Sequence, residues 1–387
     1  MFRYVHHIKK NKEINNEKSI FSLLAALLLV SLVACTTKEK ENDGWNKDYK
    51  VAMVTDYGDI TDQSFNQATY EGAKAWCEEN KVHFTYKKPV TNSDADRIAA
   101  TEKAIDEGYN VIVMPGYAFA PTIQEVAGKN PNVKFIALDV SKGDFAADYE
   151  LPSNVYCAVY QEELAGYMAG YAAVKEGYKK LGFLGGMSVP AVVRFGYGFV
   201  QGCNAAATET NTTIEIKYAY AKQFFGDAEI TAVMDTWYGD GVEVVFACGG
   251  GVYTSACEAA QKTNGKVIGV DTDQSYIINE KYAKGMCITS AMKGLAATVK
   301  TQLSKTILEG KFESKIETLG LVSATDLASN YVQLPTATWS MTKFTVEDYK
   351  TLVGKLYNKE ITVKSATSAD EVNFNEIPNV KYLGNLK

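Results

Sequence analysis

The stretch VTDYGDITDQSFNQA, residues 54–68, sets Asp56, Asp59 and Asp62 around a glycine and follows them with Phe65 and Asn66. Carboxylates accept hydrogen bonds, an amide both donates and accepts, and an aromatic ring offers a flat apolar face. Paired carboxylates such as Asp59/Asp62 and Asp271/Asp273 have the composition for acid–base work or for holding a cation. The run from Asp56 to Asp59 lacks the spacing of a calcium loop, however, and no second catalytic group accompanies it. Gly249-Gly250-Gly251 and Gly185-Gly186 do not fit GxGxxG, and neither GxxxxGK[ST] nor GxSxG occurs. Of three histidines, only His83 lies beyond the first 35 residues, inside the strand-like VHFTY. A Ser-His-Asp triad and a histidine metal site therefore lack their usual parts. The residues argue against an enzyme and call for no metal and no cofactor.

Binding of a small ring-bearing molecule suits these residues better. A purine or a sugar needs an apolar face to stack on and fixed polar groups around its edge. Phe65 and Phe225 each stand in a polar loop before a helix and supply two such faces. Aspartates can accept from both hydroxyls of a ribose diol, leaving Asn66 for a base. Lys293, which follows the strand-like MCITSAM, can donate to ribose oxygens or pair with Asp271. The competing reading makes Phe65 a hydrophobic staple at a helix start.

Alternating elements position these groups. VAMV leads into the helical SFNQATYEGAKAWCEEN, and HFTYK into SDADRIAATEKAIDEG with Ser93 as N-cap. NVIVMPG, VKFIALD, NVYCAVY, KLGFLGG, IKYAYA, VEVVFACGG and KVIGVDTD continue the series of apolar strands, with helical segments between most of them. Continuously apolar strands separated by helices indicate parallel sheets covered on both faces, wound by right-handed crossovers. In such sheets ligands bind beyond the strands' carboxyl ends. Polar punctuation falls there five times: TDYGD, GYAF, DVSK, GGG and DTDQ. The tail FTVEDYKTLVGKLYNKEITV reads as a further helix and strand.

The ends bound the compartment. Arg3, Lys9, Lys10, Lys12 and Lys18 precede the apolar Ile20–Ala34, shorter than the roughly 20 residues a spanning helix needs and suited to a signal-peptide core. The run closes on Leu32-Val33-Ala34-Cys35, which resembles a bacterial lipobox with Cys35 as the lipidated residue. Residues 36–49 read as a polar tether. Removing 1–35 takes the net charge from −6 to about −9, against a nucleic-acid partner. About 340 residues lie beyond the tether, more than one core usually serves, so two lobes are expected. The six other cysteines are scattered through apolar segments and read as buried free thiols.

DITDQSFNQATYEG, FGDA, the glycines after VVFAC, and GVDTDQSY followed by TSAMK, standing in order behind a lipobox, resemble the basic membrane protein family of ABC-transporter substrate-binding lipoproteins. The resemblance runs from about Lys50 to Val363. It implies an α/β, type I periplasmic-binding-protein-like fold, two doubly wound parallel-sheet lobes joined by a three-strand hinge, that closes around a purine nucleoside. Matched by position, Asp56 begins the pocket, Phe65 and Phe225 stack the base, and Asn66 bonds its edge. Gly250 allows close backbone approach, and Asp271 and Lys293 bind ribose. The implied lobes are 50–157 plus 290–316, and 158–289 plus 317–387. The implied partners are a nucleoside, an ABC permease and the membrane that holds the lipid, with the protein a monomer on the extracytoplasmic face. A sugar or other metabolite as ligand, or a surface receptor without transport, are the alternatives.

Overall fold

A computed structural model describes residues 44–377 and 379–386. The proposed signal segment, Cys35 and most of the tether lie outside the described residues. The fold that follows is that of residue 46 onward.

Among the described residues the strands form two sheets. The first contains β1 (Lys50–Val54), β2 (His83–Lys87), β3 (Val111–Pro115), β4 (Lys134–Leu138), β5 (Val155–Tyr160) and β11 (Lys315–Leu319) in the order β11-β5-β4-β3-β1-β2. Every pairing in it is parallel. The second contains β6 (Lys180–Gly185), β7 (Glu215–Tyr220), β8 (Val244–Cys248), β9 (Lys266–Asp271), β10 (Cys287–Lys293), β12 (Val332–Gln333) and β13 (Val380–Asn385). Its order is β12-β10-β9-β8-β6-β7-β13, with only β12 antiparallel to its neighbour. Strands such as VIVMP and VVFAC are buried along their whole length, as a sheet covered on both faces requires.

Helices α1 (Phe65–Glu79), α2 (Asp94–Asp106) and α3 (Ala120–Val126) belong to the first lobe. Ser93 caps α2, accepting from the Asp96 N–H at 3.2 Å. The second lobe carries α4 (Glu162–Glu176), α5 (Pro190–Glu209), α6 (Ala228–Gly239), α7 (Tyr253–Thr263), α8 (Ser275–Lys281) and α10 (Val346–Tyr357). Between them in sequence, α9 (Leu295–Leu303) returns to the first lobe, where a side chain at Gly72 of α1 would come 2.7 Å from Ala296 Cα. The α4–α5 pair is closer still: Cβ atoms at Gly166 and Gly198 would stand 2.0 Å from backbone oxygens of Phe195 and Glu163. Glycine alone permits that approach, and it fixes the start of α5 against the start of α4.

The chain passes between lobes after β5, after β10 and after β11. The expected boundaries at 157/158, 289/290 and 316/317 fall inside these strands. Ladder pairing carries β5 and β11 to their last residues in the first sheet, and β10 to its last residue, Lys293, in the second. Cutting a ladder midway would strand backbone groups, so the passages sit at the strand ends. The tail corrects a second expectation. Lys364, just past Ile361–Val363, donates its N–H to Gln201 Oε1 and accepts at its C=O from Gln201 Nε2, each at 2.9 Å. That amide stands in for a strand neighbour, and the edge strand forms at Val380–Asn385 instead.

Candidate functional site

Strand order reverses between β1 and β3 in one sheet and between β6 and β8 in the other. Loops leaving a sheet on either side of such a reversal diverge and open a crevice at the carboxyl ends. The two crevices face one cleft of about 470 Å3, within the roughly 300–1,000 Å3 usual for small-molecule sites. Asp56, Phe65, Asn66, Phe225, Gly250, Asp271 and Lys293 all line it.

The β1–α1 loop is built by its own aspartates. The Asp56 carboxylate accepts from the N–H groups of Tyr57 (2.6 Å) and Gly58 (2.8 Å). Asp62 accepts from the N–H groups of Ser64, Asn66 and Gln67 at 2.8, 2.9 and 3.1 Å, capping α1 in place of its N-cap residue. Ser64 is thereby released from capping, and its hydroxyl donates across the cleft to Asp271 Oδ2 at 2.5 Å. Asn66 donates to Asp62 at 3.2 Å, while its Oδ1 is buried without a protein partner. Burial pushes Asp62 up to about 6 in spite of its backbone donors, and burial likewise raises Asp56.

A buried charge cluster closes the floor. Lys293 Nζ donates to Asp139 Oδ2 at 2.5 Å and lies 3.4 Å from Glu162 and 3.8 Å from Asp271. The same ammonium sits 4.7 Å from the Phe65 ring centre, 5.6 Å from that of Tyr160 and 5.8 Å from that of Phe195, within cation–π range. Burial works against its charge, but Asp139, Asp271 and Glu162 outweigh burial and hold the lysine above the ordinary range. Asp139 is pushed up to about 6 by burial, with Lys293 pulling it back and Glu162 adding to the rise. Burial also raises Asp271, against the pull of Lys293 and Ser64. Asp139 and Asp271 both have left-handed backbone, φ 58° and 65°, which costs on the order of 1–2 kcal/mol in a non-glycine residue. Asp139 Oδ1 is buried and has no protein partner. Strain and an orphaned acceptor at the same residue mark a site kept for something other than stability.

The opposite wall is aromatic. Phe224 rests on glycines: a Cβ at Gly186 would come 2.5 Å from its ring, and one at Gly249 3.0 Å. Gly250 has φ 51°, and a Cβ there would stand 2.8 Å from the Phe224 carbonyl oxygen, so the close approach it allows is to Phe224. Phe225 is 62% exposed while lining the cleft, an apolar ring placed where folding gains nothing from it. Phe65 also packs against the core, but as the first residue of α1 after the N-cap Ser64 it does not hold the position before the cap that a hydrophobic staple uses. The lobes touch beside the cleft. Gln274 Nε2 donates to the Gln63 carbonyl at 3.0 Å, and Tyr57 hydroxyl lies 3.3 Å from Met187 Sδ.

Sequence reasoning passed over Asp139, Glu162, Arg194 and Asp62's capping. Asp139 had the signal of Asp56 and Asp271, an aspartate directly after an apolar strand. Arg194 was the one charge inside PAVVRFGYGFVQG, and its Nε donates to Glu162 Oε2 at 2.6 Å. Glu162 stands beside Glu163 in the first turn of α4, where acidic residues are common complements of the helix dipole, so its type and place carry no sign of the cleft. Tyr117 lines the cleft, whereas Phe119 is wholly buried in the first lobe. His83 begins β2 and is exposed. The six cysteines from Cys77 to Cys287 are buried and free.

Two parallel α/β lobes, joined by three passages and facing one small-molecule cleft from their strand ends, define a solute-binding protein of the type I periplasmic kind. Residues 49–367 match the family model described as ABC transporter substrate-binding protein PnrA-like. The chain belongs to that family. A relative named ABC transporter nucleoside-binding protein BmpA, from Lactococcus lactis, is 31% identical over 282 residues, 68% of this chain and 76% of that one. Basic membrane protein A from Borreliella burgdorferi is 28% identical over 348 residues, covering 89% and 95%. In fold the chain is similar to an ABC transporter solute-binding protein from Conexibacter woesei. That match has a TM-score of 0.65 at 20% identity and covers 82% of this chain and 99% of that one. No described helix is long and apolar enough to cross a membrane.

Proposed function

We propose that this substrate-binding protein captures purine nucleosides outside the cytoplasm and passes them to an ABC importer, held to the membrane by a lipid on Cys35. Phe65 from one lobe and Phe225 from the other take the two faces of the base. Asn66 Oδ1 accepts from its edge, with Asp56 beside it. Asp271, Lys293 and Asp139 take the ribose hydroxyls, Asp139 through its unpartnered Oδ1. The observation that carries this reading is the convergence of aromatic rings from both lobes on one cleft floored by Asp139, Asp271 and Lys293. The name of the Lactococcus lactis relative supports the ligand class. Bound ligand bridges the lobes and biases them toward closure by its higher affinity for the closed state.

Native protein taken from its own membranes and then denatured should release a purine nucleoside, identified by chromatography and mass spectrometry. Stoichiometric release of a sugar or an amino acid would overturn the ligand assignment. Cys35→Ala should move the protein from the membrane fraction to the medium, and its retention in the membrane would overturn the anchor.

A further inference from the structure

At the foot of the cleft, Glu162 is fully buried and holds two cations with its two oxygens. Oε2 accepts from Arg194 Nε at 2.6 Å, and Oε1 lies 3.4 Å from Lys293 Nζ. A carboxylate taken wholly out of water must be paired, and Arg194 alone would meet that need. The second contact reaches a residue of the cleft. Glu162 opens α4 two residues past the first passage strand, β5, and Lys293 is the last residue of β10, before the second passage. Arg194 lies on α5 between Val192 and Phe195, which also line the cleft. One carboxylate thus joins two of the three passages and one wall.

The distances give this junction a function. Lys293 has three N–H donors. Asp139 takes one at 2.5 Å, and Glu162 draws the ammonium from behind, while Asp271 Oδ1 stands off at 3.8 Å, too long for a hydrogen bond. Asp271 Oδ2 accepts from the Ser64 hydroxyl at 2.5 Å. We propose that Glu162 is a positioning residue that holds Lys293 back from Asp271, leaving the Asp271 carboxylate open to a ligand hydroxyl. The inference rests on the nucleoside reading for the identity of that hydroxyl. Without the Glu162 charge, the ammonium moves onto Asp271 and competes with the ribose for it.

Glu162→Gln keeps the shape and removes the charge. Loss of one hydrogen bond to a charged acceptor should weaken guanosine about 10–100-fold and guanine less than about 3-fold. In a crystal structure of the variant, Lys293 Nζ should lie within about 3.2 Å of Asp271 Oδ1. A merely structural role predicts a different pattern: lower thermal stability with equal losses for riboside and base. Equal losses, unchanged guanosine affinity, or a lysine that keeps its distance from Asp271 would each overturn the proposal. If Arg194, left with a neutral partner, prevents folding, the pair E162Q and R194M removes the lone buried cation and carries the same measurements. Wild-type protein that ignores guanosine would refute the nucleoside reading instead, and the position of Lys293 in the variant crystal would still decide the role of Glu162.

Discussion

Asp139→Asn should make the ligand-free protein more stable at neutral pH and a worse binder. The Asp139 carboxyl is pushed from 3.8 up to about 6, chiefly by burial. A carboxylate raised in the folded state binds its proton more tightly there than in the unfolded chain. Its ionisation therefore penalises the fold, an effect absent below the unfolded value and complete above the folded one. About two pH units correspond to roughly 3 kcal/mol at pH 7, falling to about half that at pH 5. Asparagine keeps an acceptor for Lys293 and tolerates the φ of 58°, so the variant loses the penalty without a new strain. That shift already includes the pull of Lys293, and the burial of the asparagine amide offsets part of the gain, which leaves an expected net stabilisation of about 1–3 kcal/mol at pH 7. Urea unfolding of both proteins at pH 5, 6 and 7 measures it. The difference should shrink as the pH falls, while nucleoside affinity at pH 7 drops by about 1.5–3 kcal/mol. A variant less stable than wild type at pH 7, or a difference independent of pH, would refute the reasoning.

Phe225→Ala should leave the unfolding midpoint unchanged, because the ring is 62% exposed, yet cost about 1–3 kcal/mol of nucleoside binding; a stability loss with intact binding would reverse its assignment. Phe224→Ala should lower stability measurably in thermal unfolding, since its ring fills the space over Gly186 and Gly249. Gly250→Ala should weaken binding through displacement of Phe224, because a Cβ there meets the Phe224 oxygen at 2.8 Å, and calorimetry of a folded variant checks it. Wild-type affinity itself should fall as the pH drops through about 6, where Asp139 takes up a proton and loses acceptor capacity; a flat profile between pH 7 and 5 would exclude Asp139 from the ligand.

Much of this molecule was legible before its structure. Apolar runs such as VIVMP and VVFAC have the continuity that only a doubly covered parallel sheet uses, and polar residues at their ends mark the crevice. Pairing in space was not legible. Nothing local says that Ser64 gives up its helix cap to reach Asp271, 207 positions away, or that Lys293 faces Asp139 as well as Asp271. The lobe boundaries slipped into β5, β10 and β11 because an apolar strand gives no sign of which sheet its last residues serve. The expected strand at Ile361–Val363 failed because the partner for the neighbouring backbone turned out to be the Gln201 side chain. The packing role of Phe224 was not legible either, because its glycine seat is assembled from Gly186 and Gly249, which follow separate strands.

The most direct test of the central claim is calorimetric titration of the soluble chain, residues 36–387, refolded to remove retained ligand. Guanosine, adenosine and inosine should bind tightly, with uridine weaker and free ribose giving no measurable heat. Folded protein that binds ribose or another sugar and ignores all three purine nucleosides would contradict the account.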